Sequence, residues 1–334
     1  MSDERGPIFI GGPDRCGKTL LSGLLASHSR ISIPVVGSNL WPLFYGQHGD
    51  LRDLENARRC LAAMLHYKHI AFLRPDLDEV MAAFVDGPRT YARLFALVQE
   101  QYAARNGKPR WGDQTGLVER YADEIFKSYP GVCFVHMVRD PRDRYAESRV
   151  RWPDGRLGAG GATARWLFSV RLGHRNAGRY AGRYRLLRYE TLVTDPEGTL
   201  REVCEFLGEA YEPSMLELDA VPTYRAKLQA SIDSLPPDAR PASGSLISAA
   251  FIGGYRRHVT PAEIAFMQSR AGREMESLGY RLEAVRLGRV AGLRHRFVDG
   301  PLDALRMYGW WAREALAYRF PRWLGRRPNR PVAA

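Results

Sequence analysis

Pro7-Ile8-Phe9-Ile10-Gly11-Gly12-Pro13-Asp14-Arg15-Cys16-Gly17-Lys18-Thr19-Leu20-Leu21 runs from an apolar segment through a glycine turn into a helical pattern. The apolar run up to Ile10 predicts a buried strand. From Lys18 to His28, Leu20, Leu21, Leu24 and Leu25 recur at helical spacing. Between them, Gly12 to Thr19 fits G-x-x-x-x-G-K-[ST] in the strand-then-helix context that the pattern requires. Glycines there let backbone N–H groups turn inward around an anion. The helix start adds unpaired donors and a partial positive charge. Lys18 brings a point charge and Thr19 a hydroxyl. The bland alternative is a glycine turn with an exposed lysine.

The pattern continues outward from that loop. Ile31 to Val36 is a second short β-branched run, so the order is strand, glycine loop, helix, strand. Such an order predicts a parallel sheet with crossover helices. Val132 to Val138 and Tyr184 to Tyr189 read as further strands. Residues 51–66, 88–105, 117–129, 163–180 and 196–207 carry helical periodicity, and a polar helix starts at about Arg142. Thr260-Pro261-Ala262-Glu263 has the cap, the proline and the glutamate of a helix start. Residues 153–161 and 235–254, rich in glycine, serine and proline, read as loops.

Composition narrows the classes. The 334 residues carry a formal net charge of +12, most of it from arginine. Guanidinium groups fork onto phosphate or carboxylate, so anionic ligands are expected. No nucleic-acid-binding motif accompanies the charge, and nucleic acid is not an expected partner. Cys16, Cys60, Cys133 and Cys204 form no C-x-x-C pair, and His66 and His69 lack a third ligand nearby, so no metal is expected. No run is apolar enough to span a bilayer, and the charged start does not resemble a secretory signal, which points to the cytoplasm. Residues 1–284 read as one α/β domain and 285–334 as a basic, aromatic, helical extension. Within it, 301–320 forms a helix with a broad apolar face. Packing on its own domain is one reading, and contact with a membrane surface or a partner the other. Oligomeric state cannot be read from this sequence.

A nucleoside-triphosphate enzyme would place an aspartate for Mg²⁺ at a strand end. Here strand 132–138 runs into Arg139, which suits a phosphate better than a metal. Four segments together resemble the sulfotransferases that use 3′-phosphoadenosine-5′-phosphosulfate (PAPS). The loop Gly11–Leu21, running on to Ser27-His28, is similar to their 5′-phosphosulfate loop. Val138-Arg139-Asp140-Pro141-Arg142-Asp143 through Ser148 is similar to their 3′-phosphate motif. Arg188 to Val193, then Asp195-Pro196 and Phe206-Leu207-Gly208, resembles a stretch of the bacterial and tyrosylprotein-like branches. Ile252-Gly253-Gly254-Tyr255-Arg256 resembles their late loop.

The resemblance implies a P-loop NTPase-like three-layer α/β fold, with a central parallel sheet flanked by helices. It implies metal-free, in-line transfer of a sulfuryl group to a hydroxyl or amine. By motif match, Arg15, Cys16, Gly17, Lys18 and Thr19 cradle the 5′-phosphosulfate, with Arg15 and Lys18 stabilising charge in the transfer. Arg139 and Ser148 hold the 3′-phosphate, and Tyr255 and Arg256 add donor contacts. Three departures stand out. The family serine falls eight residues after its arginine, whereas Ser148 is nine after Arg139. The usual glutamate is absent from Val35–Trp41. Trp111-Gly112-Asp113-Gln114-Thr115-Gly116 replaces an acid-Lys-Thr-Pro pattern. Asp113 is the first candidate for general base, ahead of His48 and Asp50, against the plainer reading of a turn carboxylate. Two other readings stand beside transfer: a P-loop kinase or NTPase, and a non-catalytic nucleotide-binding relative.

Overall fold

The computed structural model describes residues 5–151, 158–235, 240 and 245–320. Five strands, β1 (Ile8–Gly11), β2 (Ile31–Ser32), β3 (Arg110–Gln114), β4 (Cys133–Val138) and β5 (Tyr184–Arg188), lie in the order β2-β3-β1-β4-β5. Every pairing is parallel. A parallel sheet must be covered on both faces, and side chains alternate accordingly. Phe9, Phe134 and Tyr184 pack to one side with Trp41 and Phe95. Ile8, Ile10, Val135 and Met137 pack to the other with Leu21 and Leu24. Helix, sheet and helix make the three layers that the resemblance implied.

The expected strands at 7–10, 132–138 and 184–189 are present. The run 31–36 pairs only at Ile31–Ser32, and Pro34, just beyond, has no N–H for a ladder. β3 is the strand that periodicity does not reveal. Its residues are Arg110, Trp111, Gly112, Asp113 and Gln114, all buried. Its polar side chains find partners: Arg110 donates through Nε to Gly6 O (2.8 Å) and through Nη1 to Leu207 O (2.6 Å), leaving Nη2 without a partner among the described residues, and Gln114 donates to Val35 O (3.0 Å). Gly112 leaves room for β1, since a Cβ there would stand 2.8 Å from Ile8 O.

Most expected helices form, among them Leu54–Leu65, Tyr91–Arg105, Pro141–Arg151 and Pro196–Leu207. Thr260 and Glu263 make the expected capping box of Pro261–Ser277. The glycine-rich stretch departs from expectation. Residues 153–157 lie outside the described residues, but 158–161 begin the helix Gly158–Arg179 instead of a loop. Its glycine serves contact rather than freedom: a Cβ on Gly160 would meet Asp303 O at 1.8 Å. Within 235–254, residues 236–239 and 241–244 are likewise outside the described residues, and Ala249–Phe251 forms one tight turn. Residues 289–319 are helical throughout, and Gly300–Arg319 packs on Gly158–Arg179. Among the described residues, no helix is long and apolar enough to cross a membrane.

Trp166 ties this frame to the end of β4. It is fully buried, and its Nε1 donates to Arg139 O at 2.8 Å. Trp166→Ala should cost about 3–5 kcal/mol of folding free energy, read by urea denaturation. A loss below about 1 kcal/mol would show that the indole is not a main support of this strand end.

Candidate active site

The glycine loop folds as its sequence demands. Gly12 (φ +116°) and Gly17 (φ +91°) lie in the left-handed region that glycine tolerates. A Cβ on Gly12 would stand 2.1 Å from Met137 O, and one on Gly17 would stand 2.5 Å from the Tyr189 ring. Glu119 holds the loop from behind, accepting from Gly12 N–H at 3.2 Å. Arg144 holds it from the side, donating to Asp14 O at 2.7 Å. Cys16 is buried, with its thiol against Pro13 O. Lys18 opens the helix Lys18–Ala26, and its Nζ donates to Gly12 O (2.8 Å) and Pro13 O (2.6 Å). The lysine is thus curled over the loop's own carbonyls.

Beside the loop is a cavity of about 340 Å³. Its walls bring together Arg15, Lys18, Thr19, Arg139, Arg151 and Lys227, with Asp14 and Glu147 as the acids. Arg139 lies at the end of β4, under the late loop, and donates to Arg15 O (3.1 Å) and Phe251 O (3.1 Å). Its guanidinium stacks 4.5 Å from the Tyr189 ring centroid. Its Nε is buried with no partner among the described residues, a donor left over in a site that faces anions.

Glu147 is the centre of this cluster. It accepts from Arg15, from Arg139 (2.5 Å) and from Arg151 (3.1 Å). Burial works to raise its pKa, but Arg139 and Arg15 outweigh burial and hold it at about 2. Glu147 is eight residues after Arg139, the spacing at which the sulfotransferase pattern has serine. Ser148, the residue chosen from sequence, instead donates to Arg144 O of its own helix at 3.0 Å and does not line the cavity. One residue turns a helical side chain by about 100°, which accounts for the difference.

The late loop shows the same offset. Asp143 anchors it by accepting from Gly253 N–H (2.8 Å) and Tyr255 N–H (2.9 Å). Burial raises the Asp143 pKa to about 6 against the pull of Arg139. Tyr255 and Arg256, expected at the donor, both bond to Glu283 instead, at 2.6 and 2.7 Å. Arg257 and His258 are the residues that reach the recess beside Arg139 and Glu147.

Asp113 has another task than base. It is 2% exposed and accepts from Ser38 N–H (3.1 Å), Ser38 O–H (2.5 Å) and Thr115 O–H (3.2 Å). Burial raises its pKa, and these bonds work against that. Its carboxylate clamps the turn Gly37–Asn39 onto β3 and is not among the residues that wall the glycine-loop cavity. His48 and Asp50 are likewise away from the loop: His48 stacks on Phe44 and Asp50 pairs with Arg52 at the surface.

Sequence reasoning missed Glu147, Arg151, Tyr189, Lys227 and Arg257. Glu147 was findable from the eight-residue spacing, and Arg257 was one step beyond a quoted motif. Lys227 carries no local signal. It comes from the helix Pro222–Asp233, which folds back over the loop and donates to Val35 O at 2.7 Å.

The sequence pattern described as "Sulfotransferase family" matches residues 7–213. Among solved structures, the chain is similar to a sulfotransferase domain from the olefin synthase of Synechococcus PCC 7002. That pair is 23% identical with a TM-score of 0.54, over 84% of this chain and 98% of the other. A sulfotransferase domain from the curacin biosynthetic pathway is 17% identical with a TM-score of 0.51, over 84% and 99% of the two chains. These likenesses show a shared fold. No curated protein matches the sequence.

Two outcomes follow from the geometry. Glu147→Gln removes the internal anion and should tighten binding of inorganic pyrophosphate by about tenfold, read by calorimetry. Unchanged or weaker binding would mean that Glu147 serves to aim the arginines. Asp113→Ala strips Ser38 and Thr115 of their acceptor and should cost about 1–3 kcal/mol of stability, with pyrophosphate binding retained. An unaltered denaturation midpoint would remove the clamp.

Proposed function

The chain belongs to the sulfotransferase family, and we propose that it moves a sulfuryl group from PAPS to a hydroxyl or amine. One observation carries the reading. The glycine loop and the Arg139 segment line one cavity side by side, so a nucleotide that carries both a 5′- and a 3′-phosphate would meet cations for each. Arg15, Gly17, Lys18 and Thr19 suit the 5′-phosphosulfate. Arg139, with its unpartnered buried Nε, suits the 3′-phosphate. Sulfuryl transfer, like phosphoryl transfer, needs positioning and charge stabilisation more than covalent help from the protein. Lys18 would leave the loop carbonyls for a stronger, charged acceptor. In the kinase reading the strand end would need a metal-binding acid, and Arg139 stands there.

The acceptor fits best in a second cavity of about 360 Å³, walled by Pro42, Tyr45, Leu117 and Tyr121 and by the C-terminal helix at Tyr318. The chain entering it touches the loop, for a Cβ on Gly116 would stand 3.1 Å from Asp14 Oδ1. Trp41 and Phe44, aromatic neighbours in sequence, are core instead. All four cysteines are free and buried, which suits the reducing cytoplasm.

Calorimetric titration with 3′,5′-adenosine bisphosphate, against ATP with Mg²⁺, tests the donor. Tighter binding of the bisphosphate is expected, and preference for ATP with Mg²⁺ would favour a kinase. Lys18→Ala should lower transfer about 10²–10³-fold, the usual cost of losing one such donor, with an unchanged melting curve. Near-normal turnover would remove Lys18 from the chemistry.

A further inference from the structure

The helix that ends the described chain is built inside out. Arg289–Arg294, the wide turn His295–Asp299 and Gly300–Arg319 follow without a break. At about 1.5 Å per residue the rod is about 45 Å long. Its inner face carries polar groups. Asp303 accepts from Gly160 N–H at 3.1 Å, and Glu314 pairs with Arg120 at 2.8 Å. Met307 and Trp310 complete that face against Gly158–Arg179.

The outer face is apolar. Val290 is 81% exposed, Leu293 60%, Phe297 67%, Leu305 69% and Leu316 49%. Their spacing keeps one line along the rod. The step from Phe297 to Leu302 is one residue too long for a helical turn, and it falls in the π-type turn, whose wider winding absorbs the extra residue. The stripe is therefore straight where a regular helix would have rotated it.

Arginines border the stripe. Between 289 and 320 stand Arg289, Arg294, Arg296, Arg306, Arg313 and Arg319. Asp299 pairs with Arg294 at 3.1 Å and Asp303 with Arg306 at 3.2 Å, while Glu314 turns inward to Arg120, so the six arginines still exceed the three acids of this span and leave it positively charged. A continuous apolar stripe with cationic borders matches one partner chemistry, a bilayer surface bearing anionic lipid. The apolar side chains enter the headgroup boundary and the guanidinium groups fork onto lipid phosphates. A second copy of this chain would instead bring arginine borders against arginine borders.

We infer that residues 289–320 dock the protein, in plane, on an anionic lipid surface. The end of the same helix walls the second cavity at Glu314, Tyr318 and Arg319, so docking would set that cavity at the lipid boundary. The test is co-sedimentation of the full chain with phosphatidylcholine vesicles, with and without phosphatidylserine. Sedimentation with the phosphatidylserine vesicles only, weakened by salt, is the expected result. The double change Val290→Asp with Leu305→Asp should reduce it at least about tenfold. Both sites are solvent-exposed, so the melting curve should not move. Equal sedimentation with both vesicle types or with neither, or undiminished sedimentation of the variant, overturns the proposal. So does a self-association in gel filtration that the variant abolishes while wild type ignores vesicles.

Discussion

The backbone of Gly12 lies so near the carbonyl of Met137 that any side chain there would collide with it. That approach is possible because β1 and β4 pair in register to the last residue of β1, Gly11 opposite His136, and β4 runs on two residues past it. Two loops therefore leave the sheet side by side. One is the glycine loop and the other starts at Arg139, whose guanidinium reaches back to Arg15 O. Glycine is needed on one strand end and an uncluttered carbonyl on the other. A longer β4 or a substituted Gly12 would part the loops and dissolve the cavity.

The second strand end is stiffened by charges that have no part in the ligand. Asp140 N–H donates to Glu190 at 2.9 Å, and Tyr280 donates to the other oxygen at 3.0 Å. Arg142 is bidentate to Asp140 and lies over the Tyr255 ring at 4.4 Å. Across the sheet, Glu209 gathers Arg5, Arg30 and Arg110. Buried ion pairs repay their desolvation only when further hydrogen bonds complete them, and the Nε and Nη1 of Arg110 have such bonds, to Gly6 O and Leu207 O. Much of the basic charge is thus internal tie rather than ligand site. Of the arginines in Arg139–Arg144, only Arg139 lines the cavity.

The cation cluster has an anion of its own. Glu147 keeps Arg15, Arg139 and Arg151 converged in the absence of ligand. Without it, like charges at such distances would repel and the side chains would spread. The carboxylate preserves the shape of an anion site while competing for it.

The sequence by itself determined the glycine loop, its strand and helix, the strand ending in Arg139 and the parallel α/β class. Those features are local: they rest on the torsional freedom of glycine, on apolar periodicity and on a strand's exit from the sheet. β3 escaped because its burial depends on distant partners, Leu207 O and Glu209 for Arg110 and Ser38 for Asp113. Only the tertiary structure decided which residue of each motif faces the site. Glu147 rather than Ser148, and Arg257 rather than Arg256, are single steps along a helix, and each step turns the side chain by about 100°. A motif fixes the turn of helix, but the packing of that helix against its neighbours fixes the direction, and those neighbours are far away in the chain.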